Sequence, residues 1–411
     1  MRAEIVSIGT ELLVGSTINT NAAYLSARLA DLGIDVYRHT VVGDNVDRIV
    51  LAFEEAAMRS ELVLCTGGLG PTEDDVTAEA AARFVREPLV MHRASERHIE
   101  RALKARGLRM TKLIRRQCFV PRGAVVLRNL RGTAAGWLVR TPGGSRLMAL
   151  PGPPRELKSM MDDAAIPALT KHMHLAPACL VRRSVRLAGL IEVQVAAKVH
   201  DLLKLRPPVT VGIYAKAGEV ELKIMAKASS EKKASEAADR IERTIRRRFG
   251  DRVYGTDSDT IGAAAGKRLA GLGKTLAVAE SCTGGALANL FTDVPGSSEW
   301  FKGGIVSYVA GTKEALLGVQ LGKRDPVSGA VAVELARAAR ERFQSDFGIG
   351  VTGNAGPGKD KGSREPVGIV FIAVADARGV RTKKSRFAGT RAEIKARAAR
   401  EAANLIRTQA R

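Results

Sequence analysis

Apolar positions arrive in short bursts along the first third of the chain, and their spacing switches between two periods. Residues 3–8 (AEIVSI) alternate as a strand that runs into Gly9-Thr10-Glu11. From about Asn19, Ala22, Leu25, Leu29 and Leu32 recur at the helical interval, and Gly33 supplies a stop. Residues 34–42 predict a second strand, and residues 45–59 a second helix. Leu62-Val63-Leu64 is too short for a buried helix and predicts a third strand. This β-α-β-α-β-α alternation predicts a parallel sheet with helices on both faces. Ligands of such sheets bind beyond the carboxyl ends of the strands, where Thr10, Gly67 and Gly70 fall. Gly132-Thr133-Ala134-Ala135-Gly136, and Pro151-Gly152-Pro153-Pro154 after a strand at 147–150, return to that edge.

The third strand ends in Thr66-Gly67-Gly68-Leu69-Gly70-Pro71-Thr72. Glycines let the backbone take positive φ and approach a ligand closely, and Pro71 stiffens the turn. Thr72 stands where an N-cap belongs, with Glu73, Asp74 and Asp75 in the helical turn that would follow. A glycine-rich strand-to-helix turn is a phosphate cradle, with Gly67, Gly68 and Gly70 at the phosphates. Asp74 and Asp75 beside it are hard oxygen ligands suited to a divalent metal. The helix dipole alone also accounts for acids at this place.

Residues 171–180, with Pro177, read as a linker. Residues 181–255 read as strand (181–187), helix (192–205), two strands (209–214 and 219–226) and helix (230–249). Lys216 falls on the turn between the paired strands, either as a solvated charge or as a phosphate contact. Residues 255–259 (GTDSD) mark the next boundary. A helix (260–272) and a strand (275–279) then lead to Glu280-Ser281-Cys282-Thr283-Gly284-Gly285, followed by a helix at 286–291. A strand at 303–309 carries Tyr308, and Lys313 opens the helix after it. A strand at 347–351 runs into Thr352-Gly353-Asn354-Ala355-Gly356-Pro357-Gly358; strands at 367–373 and 380–387 and a helix at 391–407 close the chain.

Three reactive types stand in this last third. A serine needs a base before it attacks an amide, a desolvated lysine supplies one, and a tyrosine positions the proton. Ser281, Lys313 and Tyr308 fit those roles, with glycines at 284–285 and 353–358 offering N–H groups to an oxyanion or phosphate. The plainer alternative is a helix-capping serine, a core tyrosine and a solvent-facing lysine. Cys282 is a rival nucleophile, favoured if the helix N-terminus lowers its pKa.

Composition narrows the field. The chain has 411 residues, enough for two or three domains. Four cysteines, far apart and without CxxC spacing, argue against zinc and a disulfide framework. No apolar run approaches the ~18–20 residues that span a bilayer, and the N-terminal stretch resembles no signal peptide, so a cytoplasmic protein with no membrane partner is expected. The net charge of +22 invites a nucleic-acid reading, but the basic residues are dispersed and aromatics for base stacking make up 4%.

The stretches IVSIGTELLVGSTINTNAAYLSARLADLGIDVYRHTVVGDN, CTGGLGPTEDD and LPGPPRELKSMM resemble the N-terminal domain of the CinA family, which is similar to molybdopterin-binding MoaB/MogA proteins. AESCTGGALANLFTDVPGSSEWFKGGIVSYVAGTKEALLGV resembles the family's C-terminal domain, of the nicotinamide-nucleotide amidase type. The resemblance implies an α/β chain: a MoaB/MogA-like three-layer domain at 1–170, a small KH-type α+β domain at 181–255 and an amidase-like domain at 260–408. It implies metal-dependent ADP-ribose pyrophosphatase activity in front, with a divalent ion of the Mg, Mn or Co type, and metal-free nicotinamide mononucleotide deamidation behind. Ser281, Tyr308 and Lys313 match the family's catalytic trio. Thr352, Gly353 and Gly356 match its TGIAGP loop, and Gly284, Gly285, Thr10 and Lys216 complete the expected substrate contacts.

The expected partners are small-molecule nucleotides, and the expected assembly is a homodimer. No specific nucleic acid is implied, because the middle block lacks a GxxG clamp: Gly189 is followed by Leu-Ile-Glu. Departures from the family pattern are Ala135, Leu113 and Ile114 in front, and Ala310, Ala332, Asn354, Glu365 and Lys395 behind. Two other readings stay open: a pterin- or nucleotide-binding protein without catalysis, and a competence-associated factor.

Overall fold

Strand β1 (Arg2–Ile8) is buried from Ala3 onward because helices cover both of its faces. Val6 and Ile8 enter one core and Ala3 and Ile5 the other, the alternation that the period of two demands. The computed structural model describes residues 1–175, 178–360 and 362–410, and its contacts divide into two units. One comprises Met1–Leu180 with Lys227–Ala234; the other comprises Val181–Ala226 with Ser235–Arg411.

In the first unit, a short helix α1 (Thr10–Leu13) and α2 (Thr20–Asp31) follow β1. Asn19 caps α2 by accepting the Ala22 N–H at 3.1 Å, and Ala22, Leu25 and Leu29 form its buried stripe. Then come β2 (Asp35–Val42), α3 (Val46–Arg59) and β3 (Leu62–Thr66). Next are α4 (Thr77–Val85), the pair β4 (Leu89–Met91) and β5 (Phe119–Pro121), and between these α5 (Arg93–Lys104) and α6 (Lys112–Arg115). Strands β6 (Val125–Leu127), β7 (Gly136–Arg140) and β8 (Arg146–Leu150) precede α7 (Pro154–Met160) and α8 (Ile166–Met173).

The sheet order is β2-β1-β3-β8-β7-β6. Its first four strands are parallel, but β7 and β6 are antiparallel, so the sheet is mixed where the helix–strand rhythm predicts a parallel one. The cause is the short link between β7 and β8, closed by Thr141 N–H donating to Ser145 O at 2.9 Å; a parallel crossover needs a dozen residues or more. Helices α3 and α4 cover one face through Ile49, Phe53 and Ala81; α2, α7 and α8 cover the other through Leu25, Leu157 and Leu169. The predicted linker begins inside α8, and Pro177 lies outside the described residues.

One local reading is corrected. Thr72 does not cap α4, which starts at Thr77. Thr77 N–H donates to Gly68 O at 3.1 Å and its hydroxyl to Gly67 O at 2.8 Å, which ties the helix start back to the glycine turn. Glu73, Asp74 and Asp75 therefore sit in a separate turn, in which Asp75 Oδ2 accepts the Thr72 N–H at 2.8 Å.

In the second unit, the middle block has β9 (Cys179–Ala188), α9 (Glu192–Leu203), β10 (Val209–Lys216), β11 (Glu219–Ala228), α10 (Glu231–Phe249) and β12 (Val253–Thr256). The strand order is β10-β11-β9-β12. Lys216 is the last residue of β10, paired with Glu219 across the ladder, and not a turn residue. Its ammonium lies 3.2 Å from Glu221 Oε2, so the charge already has a partner.

The last block has α11 (Ile261–Gly271), β13 (Leu276–Glu280), α12 (Ala286–Thr292), β14 (Phe301–Val306), α13 (Ala310–Leu317), α14 (Gly329–Arg342), β15 (Phe347–Gly353), β16 (Ile369–Asp376), β17 (Gly379–Arg386) and α15 (Arg391–Gln409). Its sheet runs β14-β13-β15-β16-β17, parallel across the first three strands and antiparallel beyond. Strand β14 ends before Tyr308, because the Ser307 N–H donates to Glu280 O at 2.8 Å and the chain then turns into α13. Lys313 is the fourth residue of that helix and not its opening residue.

Candidate functional site

Two cavities lie at the carboxyl ends of parallel strands, one in each unit. The one in the second unit, about 390 Å³, is bordered by Ser281, Tyr308, Ala310, Gly353, Asp360 and Arg391, among others. Ser281 follows β13 directly and is held by its N–H donating to Val351 O at 2.9 Å. The turn after it is clamped from within. Glu280 is fully buried, and its carboxylate accepts the N–H groups of Gly285 at 3.0 Å, Leu287 at 3.1 Å and Ala288 at 2.7 Å.

Gly284 N–H donates to Ser281 O at 3.1 Å. The N–H groups of Gly284 and Gly285, expected to serve an oxyanion or phosphate, are thus engaged by the chain itself. Both residues have left-handed φ (58° and 93°), so glycine is required here by the turn. Thr352 is likewise internal: it is buried, and its hydroxyl donates to Pro326 O at 2.8 Å.

Lys313 is 1% exposed, and its Nζ donates to the backbone carbonyl of Tyr308 at 3.1 Å. Burial holds its pKa below the ordinary lysine value, with the nearby charge of Asp360 opposing the shift more weakly. It forms no ion pair among the described residues. Cys282 is buried and its thiol is pushed up to about 12 by desolvation, which removes it as a rival nucleophile.

Tyr308 is 49% exposed, so it is not a core residue, and its phenolic oxygen accepts from Arg391 Nη2. Arg391 also donates through Nη1 to Gly356 O. It therefore bridges the tyrosine and the Thr352–Gly358 loop. Arg391 is a cation at the first position of α15, where the helix macrodipole disfavours positive charge. That misplacement is the sequence signal by which this residue stands out, and it was missed in the motif reading.

The cavity in the first unit, about 560 Å³, is built from the ends of β1, β3 and β8. It is lined by Gly67, Gly68, Gly70, Asp74 and Asp75, and by Thr133, Ala134 and the Pro151–Pro154 run. Thr10 is not in the lining: its N–H and hydroxyl both donate to Asp44 Oδ2 at 2.8 Å, and Asp44 faces the cavity instead. Gly67 N–H is taken by Leu150 O at 3.1 Å, while those of Gly68, Leu69 and Gly70 donate to no partner among the described residues.

Five lining side chains are carboxylates (Glu11, Asp44, Asp74, Asp75 and Glu156), and none is lysine, arginine or histidine. In a chain of net charge +22, this cavity is acidic. Among the described residues, no three His, Cys, Asp or Glu side chains converge as a metal cage. The donor set nevertheless fits a hard divalent ion of the magnesium class, which binds one or two carboxylates plus substrate phosphate oxygens. An anionic phosphate would otherwise meet only like charge here.

Comparisons with known proteins agree along the whole chain. Residues 258–410 match the CinA C-terminal domain, residues 4–171 a probable molybdopterin binding domain, and residues 182–255 the KH domain of damage-inducible protein CinA. A CinA-like protein of Kosmotoga olearia is 41% identical over 411 residues, 99% of this chain and 98% of its own length. This chain belongs to the CinA family. A relative from Symbiobacterium thermophilum, whose name refers to competence-damage inducibility, is 44% identical over 91% of this chain and 88% of its own. The crystallised CinA protein of Thermoplasma acidophilum, of unknown function, is 33% identical, covering 41% of this chain and 96% of its own, with a TM-score of 0.37.

Against the CinA pattern, the departures of the last block separate by position. Ala310 borders the cavity. Ala332 does not: it is fully buried in α14 and packs with Ala336, Ala373 and Ala375. Asn354, in place of the loop isoleucine, is 2% exposed and fully used. It donates to Ser363 Oγ at 2.9 Å and Glu365 O at 2.8 Å, and accepts the Asp360 N–H at 2.9 Å. Glu365 turns its carboxylate to Lys384 at 2.7 Å. Lys395 lies against the turn that follows Ser281, its Nζ 3.3 Å from where a Gly284 Cβ would stand. In front, Ala135 borders a smaller cavity of about 170 Å³ with Trp137 and Arg116, while Leu113 is exposed and Ile114 packs beside Ile99 and Cys118.

Proposed function

We propose that this CinA-family chain is a hydrolase of pyridine nucleotides, with nicotinamide mononucleotide deamidation in the second unit and ADP-ribose pyrophosphate cleavage in the first. The observation that supports the amidase reading best is Lys313, a buried lysine that forms no ion pair among the described residues and donates to the carbonyl of Tyr308, which borders the cavity with Ser281. A lysine whose proton is made easier to lose by burial suits the role of base for a serine hydroxyl. In this reading Lys313 takes the Ser281 proton as Oγ attacks the carboxamide carbon. It then returns the proton to the departing ammonia, and water releases the nicotinate product. Tyr308 positions the proton, and Arg391 meets the nucleotide phosphate.

For the first unit, the supporting observation is an acidic cavity beside a glycine turn with three N–H groups that donate to no partner among the described residues. Asp74 and Asp75 would hold a divalent ion, directly or through water. When bound, that ion neutralises phosphate charge and polarises the phosphoryl oxygens. Gly68 and Gly70 would direct N–H groups at the pyrophosphate. One assay tests both halves: ADP-ribose and nicotinamide mononucleotide are each incubated with the full chain, with and without divalent metal, and the products identified. AMP with ribose phosphate only when metal is present, and ammonia regardless of metal, are expected. Neither product from either substrate would leave a nucleotide- or pterin-binding protein without catalysis.

A further inference from the structure

Cations gather at a groove of the second unit that neither hydrolytic site uses. It measures about 590 Å³ and is lined by Asp251 and Tyr254 around β12, Lys267 and Arg268 on α11, and Arg407 on α15. Three of these side chains are cationic and one is a carboxylate. Some arginines elsewhere in this unit have acidic partners: Arg183 lies 2.8 Å from Glu242, and Arg248 lies 2.6 Å from Asp201. Lys267, Arg268 and Arg407 have none among the described residues.

Arg407 is half-buried, and its guanidinium donates to neutral acceptors only, Asn404 Oδ1 at 2.8 Å and the Asp251 carbonyl at 2.5 Å. Arg268 donates to the Ala410 carbonyl at 3.0 Å, again a neutral oxygen. Desolvation holds the Arg407 pKa below the ordinary guanidinium value; the Asp251 charge opposes this, and Arg252 adds like charge nearby. A helix C-terminus by itself attracts one cation, which accounts for Arg407 or for Arg268 taken alone. Two helix ends delivering their cations to one concave groove, with a single acid opposite, is a different arrangement. It leaves positive charge partly out of water, three cations against one carboxylate.

We propose that this groove binds a small molecule carrying a diphosphate. The volume falls within the ~300–1,000 Å³ of small-ligand sites. Two arginines and a lysine match the charge and multiple acceptors of a diphosphate, which arginine grips with paired N–H donors. The Tyr254 hydroxyl is committed to Glu219 at 2.5 Å, so the ring serves as an apolar wall. Arg391 and Arg407 stand at opposite ends of α15, about 24 Å apart at 1.5 Å per residue, so this groove is separate from the amidase cavity.

The test is calorimetric titration of the full chain with inorganic pyrophosphate, in EDTA and about 0.15 M KCl, where surface charge is screened beyond ~8 Å. EDTA keeps metal from drawing pyrophosphate to the acidic front cavity. One saturable site is expected, weakened at least about tenfold in Lys267→Gln/Arg268→Gln, whose side chains are exposed and whose replacement leaves the fold intact. Arg407→Gln should weaken it comparably, and Arg391→Gln, in the other cavity, should leave it unchanged. Equal affinity in the parent and the double variant, or no saturable binding, would overturn the proposal. So would tighter binding of a single-stranded RNA than of pyrophosphate, lost in the same double variant, which would make the groove a nucleic-acid surface.

Discussion

The ammonium of Lys313 lies 3.1 Å from the carbonyl oxygen of Tyr308, five residues earlier in the chain. A single turn, from the end of β14 into α13, thereby sets both the lysine and the phenol. The carbonyl solvates the ammonium only in part, and burial does the rest, keeping the lysine short of its usual basicity.

The pH behaviour follows from that shift. The folded Lys313 loses its proton below the ordinary lysine value of about 10.4, so amide hydrolysis should rise with pH and level off short of it. The unfolded chain binds this proton more readily than the folded one. The stability cost is therefore full below the folded pKa, shrinks between the folded and ordinary values, and vanishes above them. Lys313→Met should lose about 10²–10⁴ of the ammonia-release rate, yet unfold at higher urea than the parent at pH 7, with the gap closing toward pH 10. A variant that keeps its rate would end the general-base assignment.

Tyr308→Phe removes a half-exposed hydroxyl, so the thermal midpoint should barely move while kcat falls about tenfold or more. Arg391→Gln should raise KM for nicotinamide mononucleotide far more than for the riboside that lacks the phosphate. Equal effects on the two substrates would show that Arg391 orients Tyr308 without meeting phosphate.

Asn354→Ile restores the family residue but deletes three hydrogen bonds that hold residues 354–365 together. At about 0.5–1.5 kcal/mol each, the variant should be less stable by about 1.5–4.5 kcal/mol, with a raised KM, because Asp360 at the cavity loses its anchor. Differential scanning calorimetry and steady-state kinetics measure both. A faster, equally stable enzyme would mean that the loop is held by other contacts.

Ala310→Asn and Ala332→Ser should behave oppositely. Asparagine at 310 faces the cavity and should raise activity at unchanged stability. Serine at 332 places a hydroxyl in a fully buried alanine layer and should cost about 1–3 kcal/mol with no gain in rate. A rate gain from Ala332→Ser alone would contradict its placement away from the cavity.

Asp74→Asn should abolish metal-dependent cleavage of ADP-ribose while leaving the thermal midpoint nearly unchanged, since the side chain is exposed in a turn. Chelation of the parent should have the same effect on ADP-ribose and none on ammonia release. Full activity in the asparagine variant would reduce the acids to turn-forming residues, a role Asp75 already has through Thr72.

The sequence by itself determined the α/β class, the family, and the strands and helices around the two glycine turns. Alternating and helical apolar periods and glycines at strand ends act between near neighbours, so they are legible without coordinates; the structure adds Asn19 and Asn45 as caps of the helices that begin there. The turns that carry Ser281 and Gly67 belong to the same class, being a strand, small residues and a helix in succession.

Only the tertiary structure decided what those turns can do. Whether a glycine N–H is available depends on what lies opposite: Glu280 takes that of Gly285, and Leu150 takes that of Gly67. Arg391 meets Tyr308 from 83 positions away, and Asn21 reaches Gly152 across 131. The acidity of the front cavity sums carboxylates from Glu11 to Glu156, and the position of Ala332 in a packed layer rather than at the cavity depends on which face of α14 meets the sheet. Periodicity specifies that a face is buried; which groups from distant strands close over it, and so which charges and donors remain unpaired there, is set by long-range packing.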